Sequence, residues 1–218
     1  MLTNNMNIIK YKLLTDSQKI DYGIFPTIEE NFDFIKSNPT DQRGKNSIQW
    51  IHLYMDELYE LSKECSHITE MGVNQVNSSW AFLKARPKKL VCIDITFTKV
   101  PERHKFEDHI WLESLKELAK KENVELVLIE NDTSKMEIEK TDLLFIDTNH
   151  SYDHLKTELK LHANNVKKYI AFHDTVLFGD LNRAIDEFLI NNKNWTIYKN
   201  IKSSPGLLII KNNNFESL

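Results

Sequence analysis

Two stretches decide the fold: Asp142-Leu-Leu-Phe-Ile-Asp147-Thr-Asn-His150-Ser-Tyr152 and Tyr169-Ile-Ala-Phe-His173-Asp174-Thr175. Each is a short apolar run that ends in a carboxylate. Apolar runs of this length, with helical sequence between them, read as parallel strands buried on both faces. Their polar ends then meet at the carboxyl edge of the sheet, where open α/β folds bind ligands. Asp147, His150, His173 and Asp174 are therefore expected to form a site. The plainer reading has the acids capping helices and the histidines bonding within loops. The convergence of two acids and two histidines weighs against it.

Outward from this pair, strand-like and helix-like segments alternate. Upstream, an amphipathic helix starts at Ser47, with Ile48, Ile51, Met55, Leu58 and Leu61 at helical spacing. A strand is expected at His67–Val73, a helix at Ser78–Ala85, a strand at Leu90–Ile95 and a helix at Phe106–Glu122. A third strand follows at Val124–Ile129, then a short helix near Ser134–Glu139. Downstream, Tyr152–Val166 and Leu181–Ile190 read as helices, and Trp195–Lys199 and Gly206–Ile210 as the last two strands. Helical crossovers imply a mostly parallel sheet with helices on both faces. The last two strands are joined only by a loop, so one of them should run against the rest. Residues 1–46 are polar and weakly periodic, with a short helix at Ile28–Ser37. They read as an N-terminal arm, packing over the cleft, pairing with another subunit or forming a tail. The division expected is 1–46 as arm or cap and 47–218 as the α/β domain.

The 218 residues suffice for one sizeable core. A net charge of -4 gives no global field that attracts nucleic acid. Cys65 and Cys92 belong to no CxxC pair and read as buried thiols in a reducing compartment. Met1–Lys10 lacks a secretory apolar core, and no apolar run approaches membrane-spanning length. A cytoplasmic protein without membrane contact is expected.

Further candidates stand at the earlier strand ends. In Glu70-Met-Gly72, the glycine lets the backbone approach a ligand and the acid accepts from an amino or hydroxyl group; the plain alternative is an ordinary turn. Asp94 ends the second strand, where an acid accepts ribose hydroxyls or caps a helix. Asp132 suits an adenine amino group or, equally, a helix cap. Asp147 and Asp174 suit a hard divalent cation such as Mg²⁺. His150 suits proton abstraction near neutral pH. The other histidines read as surface or partly packed residues. Lys99, Arg103, His104 and Lys105, in the loop Thr96–Glu107 at the functional edge, read as solvated charge in preference to substrate contacts.

Taken in order, Glu70-Met-Gly72, Asp94, Asp132, Phe145-Ile-Asp147-Thr-Asn-His150-Ser-Tyr152 and Phe172-His173-Asp174-Thr175 resemble class I S-adenosylmethionine-dependent methyltransferases. The closest likeness is to the metal-dependent small-molecule O-methyltransferases of cephalosporin and macrolide-sugar biosynthesis. It runs from about Ser47 to Lys211. The Phe-Ile-Asp-x-x-His-Ser-Tyr and Phe-His-Asp-Thr pair is fairly specific, and the rest is generic for the fold. The resemblance implies a Rossmann-like seven-stranded sheet with one reversed strand near the C-terminus. It implies S-adenosylmethionine at Glu70, Gly72, Asp94, Asp132 and Asp147, and Mg²⁺ at Asp147, His173 and Asp174. His150 and Asp147 are the implied catalytic pair, acting on a small-molecule hydroxyl, for instance of a sugar. One departure stands out: the family's first motif continues with further glycines, where this chain has Val73-Asn-Gln-Val76.

Two other functions fit the same residues: a cofactor-binding module without methyl transfer, and a metal-dependent hydrolase. A nicotinamide dehydrogenase is disfavoured, because no Gly-x-Gly-x-x-Gly follows the first strand. A homo-oligomer built through the arm is compatible with the sequence, and nucleic acid is not an expected partner.

Overall fold

The computed structural model describes residues 11–37, 50–97 and 106–215. The start of the expected helix at Ser47 and the residues Lys99, Arg103, His104 and Lys105 lie outside them. The chain divides into two compact units. One comprises Met1–Glu64, Val73–Leu90 and Thr96–Val127; the other comprises Cys65–Gly72, Val91–Ile95 and Leu128–Leu218.

The first unit is helical. Helices α1 (Asp16–Asp21) and α2 (Ile28–Ser37) occupy the stretch read as an arm. α1 was not expected; Thr15 and Gln18 start it with a capping box, a local signal stronger than its weak periodicity. The helix expected from Ser47 is split into a 3₁₀ turn at Trp50–Tyr54 and α3 (Met55–Ser62). α4 (Ser79–Lys84) and α5 (Phe106–Lys121) complete the unit. Arg86 bridges Glu29 and Glu122, each at 2.8 Å, and Trp111 Nε1 donates to the Tyr22 carbonyl at 2.9 Å.

The second unit holds residues of all seven strands. These are β1 (His67–Met71), β2 (Lys89–Asp94), β3 (Glu125–Glu130), β4 (Thr141–Ile146), β5 (Val166–His173), β6 (Trp195–Ile201) and β7 (Leu207–Asn212). Their order across the sheet is β3-β2-β1-β4-β5-β7-β6. β1, β4 and β5 are parallel, and β7 runs antiparallel to both β5 and β6. The expected mostly parallel sheet with one reversed strand is therefore present. Its centre is β4, where every residue from Thr141 to Ile146 is buried. Burying Leu143, Leu144, Phe145 and Ile146 contributes about 1.5–3 kcal/mol each. Asp142, the second residue of this strand, accepts from the Ser66 and His67 amides at 2.7 and 3.1 Å, so its buried carboxylate is satisfied.

Helix α6 (Tyr152–His162) connects β4 to β5, and α7 (Gly179–Asn191) connects β5 to β6. Between β3 and β4 only a 3₁₀ turn forms, at Thr133–Lys135, in place of the helix expected to Glu139. Asp132 starts that turn, and its cap bonds hold one turn and no more. Both cysteines are buried thiols outside any disulfide. Among the described residues, no helix is long and apolar enough to cross a membrane.

Candidate active site

The parallel register of β4 and β5 sets Ile146 opposite Phe172. Asp147 and the pair His173-Asp174 consequently leave adjacent strand tips side by side. The four residues form a ring in which acids and imidazoles alternate. His150 Nε2 lies 3.4 Å from Asp147 Oδ1 and 3.1 Å from Asp174 Oδ2. His173 Nδ1 lies 3.3 Å from Asp147 Oδ2 and 3.4 Å from Asp174 Oδ1. Neither carboxylate caps a helix: Ser151 starts α6 and Phe178 starts α7. The cap reading of these acids is thus not what the fold uses.

The ring sets its own charge. Burial alone pushes the carboxyls of Asp147 and Asp174 up, but the two imidazoles outweigh it and hold both below the usual carboxylate range. The hydrogen bonds to Asp147 and then Asp174 raise His150 to about 9. His173 also reaches about 9: burial pulls it down, and the same two acids more than compensate. At neutral pH the ring holds two carboxylates and two imidazolium ions, which balance.

The donor set also fits a cation. Ligand atoms of Asp147, His173 and Asp174 all lie within 4.8 Å of one another. Cis ligands of an octahedral ion with bonds of about 2.1 Å stand about 3 Å apart, close to the spacings in the ring. Two carboxylates and an imidazole suit Mg²⁺, Mn²⁺ or a borderline transition metal. Asp174 itself sits at φ +61°, a left-handed conformation that Asp tolerates better than most residues. That turn aims its carboxylate back at the histidines.

One wall of the ring is apolar. Phe178 stacks on the His150 ring, with centroids 4.2 Å apart and planes at 14°. Val176, Leu177 and Phe178 are all exposed. The segment is pinned, since the amides of Val176 and Leu177 both donate to the Pro205 carbonyl, at 2.7 and 3.1 Å.

The residues expected on the cofactor side stand at successive strand tips. Glu70 is fully buried, and the Cys92 thiol donates to its carboxylate at 3.4 Å. Gly72 has φ +81°, and its amide donates to the Ile93 carbonyl at 2.9 Å. A Cβ at Gly72 would lie 1.9 Å from the Asp147 carbonyl oxygen. The close approach that demands glycine here is to the neighbouring strand tip, where a ligand was expected. Asp94 is half-buried, and its carbonyl accepts from the Asn131 amide at 3.0 Å. Asp132 caps the 3₁₀ turn: its carboxylate accepts from the Ser134 amide at 3.0 Å and the Ser134 hydroxyl at 2.6 Å. A hydrogen bond from Lys135, then one from Ser134, lowers its carboxyl to about 2. The cap that the sequence offers for Asp132 is thus formed. After Gly72, Asn74 and Val76 also have positive φ, +44° and +57°. The backbone keeps a glycine-like path without the glycines.

One polar cluster went unread in the sequence. Glu158 on α6 is fully buried. It accepts from Thr133 Oγ1 at 2.5 Å, from Thr148 Oγ1 at 2.9 Å and from His154 Nε2 at 3.1 Å. The bond to Glu158 raises the His154 pKa. His162 is also fully buried and donates from Nε2 to the Thr133 carbonyl at 2.9 Å. The signal was helical spacing: Leu155, Glu158, Leu159 and His162 fall on one stripe.

No family model and no curated protein matches the sequence. Solved structures do resemble the fold. An O-methyltransferase from Bacillus cereus in complex with S-adenosylhomocysteine aligns with a TM-score of 0.54 and 13% identity, over 91% of this chain and 92% of that one. A proposed caffeoyl-CoA O-methyltransferase from Staphylococcus aureus gives 0.54 and 15%, over 97% and 100%. A proposed RNA methyltransferase from Pyrococcus horikoshii gives 0.53 and 9%, over 85% and 96%. At such identities the likeness is one of fold.

Proposed function

We propose that this chain is an S-adenosylmethionine-dependent methyltransferase that acts on a hydroxyl of a small molecule with the help of a divalent cation. The observation that carries the reading is the ring of Asp147, His150, His173 and Asp174 at the carboxyl edge of a β3-β2-β1-β4-β5-β7-β6 sheet. The bound S-adenosylhomocysteine of the Bacillus cereus structure supports the cofactor. Glu70, Gly72 and Asp94 stand at the two strand tips beyond β4, on the side away from β5. They leave the ring to face the acceptor.

Asp147, His173 and Asp174 would hold the cation. Such an ion supplies orientation of two substrate oxygens and a lower pKa for the attacking hydroxyl. The chain's own part is proton handling and alignment. His150 takes the hydroxyl proton only in its neutral form, and the acids that now keep it protonated are those the cation would share. Stacking on Phe178 fixes the imidazole plane, so the nitrogen keeps its aim when the proton moves. A small acceptor is favoured over RNA by the net charge of -4 and by the apolar wall Val176–Phe178.

The test is a thermal-shift titration with S-adenosylmethionine and S-adenosylhomocysteine, with and without Mg²⁺. A nucleoside at about 100 times its Kd adds about 2.7 kcal/mol, a shift of several degrees. No shift with either nucleoside sinks the reading. Binding without methyl transfer to any of a broad set of hydroxylated acceptors favours the non-catalytic module.

A further inference from the structure

Glu158 is a fully buried carboxylate on an otherwise apolar stretch of its helix stripe. It lies on the buried stripe of α6 between Leu155 and Leu159, and leucine or methionine would fill the same volume. Its carboxylate is shared by three donors, however, and an apolar side chain there would orphan them at a cost in stability. Two of those donors come from separate elements. Thr133 directly follows Asp132 in the turn after β3. Thr148 directly follows Asp147 after β4. In the sheet, β2 and β1 lie between β3 and β4, so no ladder hydrogen bond joins those two tips. The Glu158 carboxylate joins them instead. Of the strands it spans, β2 ends at Asp94 and β1 leads into Gly72, two of the residues read as cofactor contacts.

We infer that Glu158 is a positioning residue: by tying the Asp132 turn to the Asp147 turn, it sets the width of the nucleoside end of the cofactor cradle. This rests on the methyltransferase reading above. Thr133 and Thr148 transmit the constraint, and Glu158 touches no cofactor itself. His154, one helical turn before Glu158, adds a third donor that fixes the orientation of the carboxylate.

The experiment is calorimetric titration of wild type, Glu158→Leu and Glu158→Gln with S-adenosylhomocysteine and with adenosine, alongside melting curves. E158L should still fold, melting below wild type because the Thr133 and Thr148 hydroxyls lose their shared acceptor, so the titrations are run well below its melting point. Its Kd for S-adenosylhomocysteine should nevertheless rise by about tenfold or more, and its Kd for adenosine by the same factor. E158Q should fall between the two, since an amide oxygen still accepts from both threonines. If E158L does not fold, Glu158→Met, nearer in shape, takes its place with the same expectation. A folded apolar variant that binds both nucleosides like wild type overturns the inference. So does one that loses affinity for S-adenosylhomocysteine but not for adenosine. A wild-type protein that binds neither overturns the methyltransferase reading instead.

Discussion

The ring after β4 and β5 and the turn after β1 reach unusual states by different means. The ring holds its strain as charge: two acids and two imidazoles, each acid within 3.4 Å of both imidazoles, and each kind keeping the other ionised. The turn from Gly72 to Val76 holds its strain in the backbone, with three left-handed residues at alternate positions and a single glycine. The difference teaches where each is fragile. The ring should fail by chemistry while the fold survives, and the turn should fail by geometry before any chemistry is lost.

The largest effect should come from the ring. Asp147→Ala or Asp174→Ala should lower methyl transfer by about 10²–10⁴-fold, through loss of proton handling and cation binding together. The measurement is release of S-adenosylhomocysteine with any acceptor that wild type turns over. Unchanged turnover and metal dependence in both variants would falsify the assigned chemistry. Next in size is Gly72→Ala. A methyl 1.9 Å from the Asp147 carbonyl oxygen forces two strand tips apart, so the variant should lose about 3 kcal/mol or more in urea unfolding. A loss under about 1 kcal/mol would show that the tips separate easily.

The ring also leaves a pH signature. His150 and His173 have folded pKa values raised to about 9 from 6.5, so their stabilisation is complete below pH 6.5 and is lost as pH rises through about 9. The depressed acids work oppositely: their contribution is present above the ordinary value of 3.8 and disappears as pH falls through their lowered folded values. Both trends report one set of ion pairs. Without added metal, stability should be flat from about pH 4 to 6.5 and fall by on the order of 3 kcal/mol towards pH 10. His173→Gln should flatten the alkaline limb, and an unchanged limb in that variant would place the titration elsewhere.

The smallest effect separates two valines of the turn. Val73 and Val76 are both buried, but only Val76 is left-handed, which costs about 1–3 kcal/mol in a β-branched residue. Val73→Gly should therefore cost about 3 kcal/mol, and Val76→Gly about 1 kcal/mol or less, because relief of strain offsets lost burial. Equal losses in chemical denaturation would mean that the turn stores no strain at Val76.

The two regions were also unequally legible in the sequence. The ring announced itself because β4 and β5 are continuous apolar runs with acids and histidines at their ends, and parallel pairing brings such ends together. The reversed strand was legible from the short link around Pro205-Gly206. The turn could be read only as a missing set of glycines; that Asn74 and Val76 take up the left-handed path is decided by tertiary context. Asp132 fits a cap and a ligand contact equally in the sequence, because its bonds to Ser134 depend on the path the chain takes after β3. Glu158 was hidden among Lys156, Lys160 and other polar neighbours on α6, although its spacing from Leu155 and His162 marked it as inward-facing.

The contact between Gly72 and the Asp147 carbonyl has a practical consequence for anyone reshaping this protein. The tips of β1 and β4 behave as one mechanical piece, with no side chain to absorb a change. Variants selected for a new acceptor by mutating residues beside Asp147 will shift the β1 tip as well. Such libraries should therefore be screened for nucleoside affinity at every round, and altered acceptor scope should be expected to travel with altered cofactor hold.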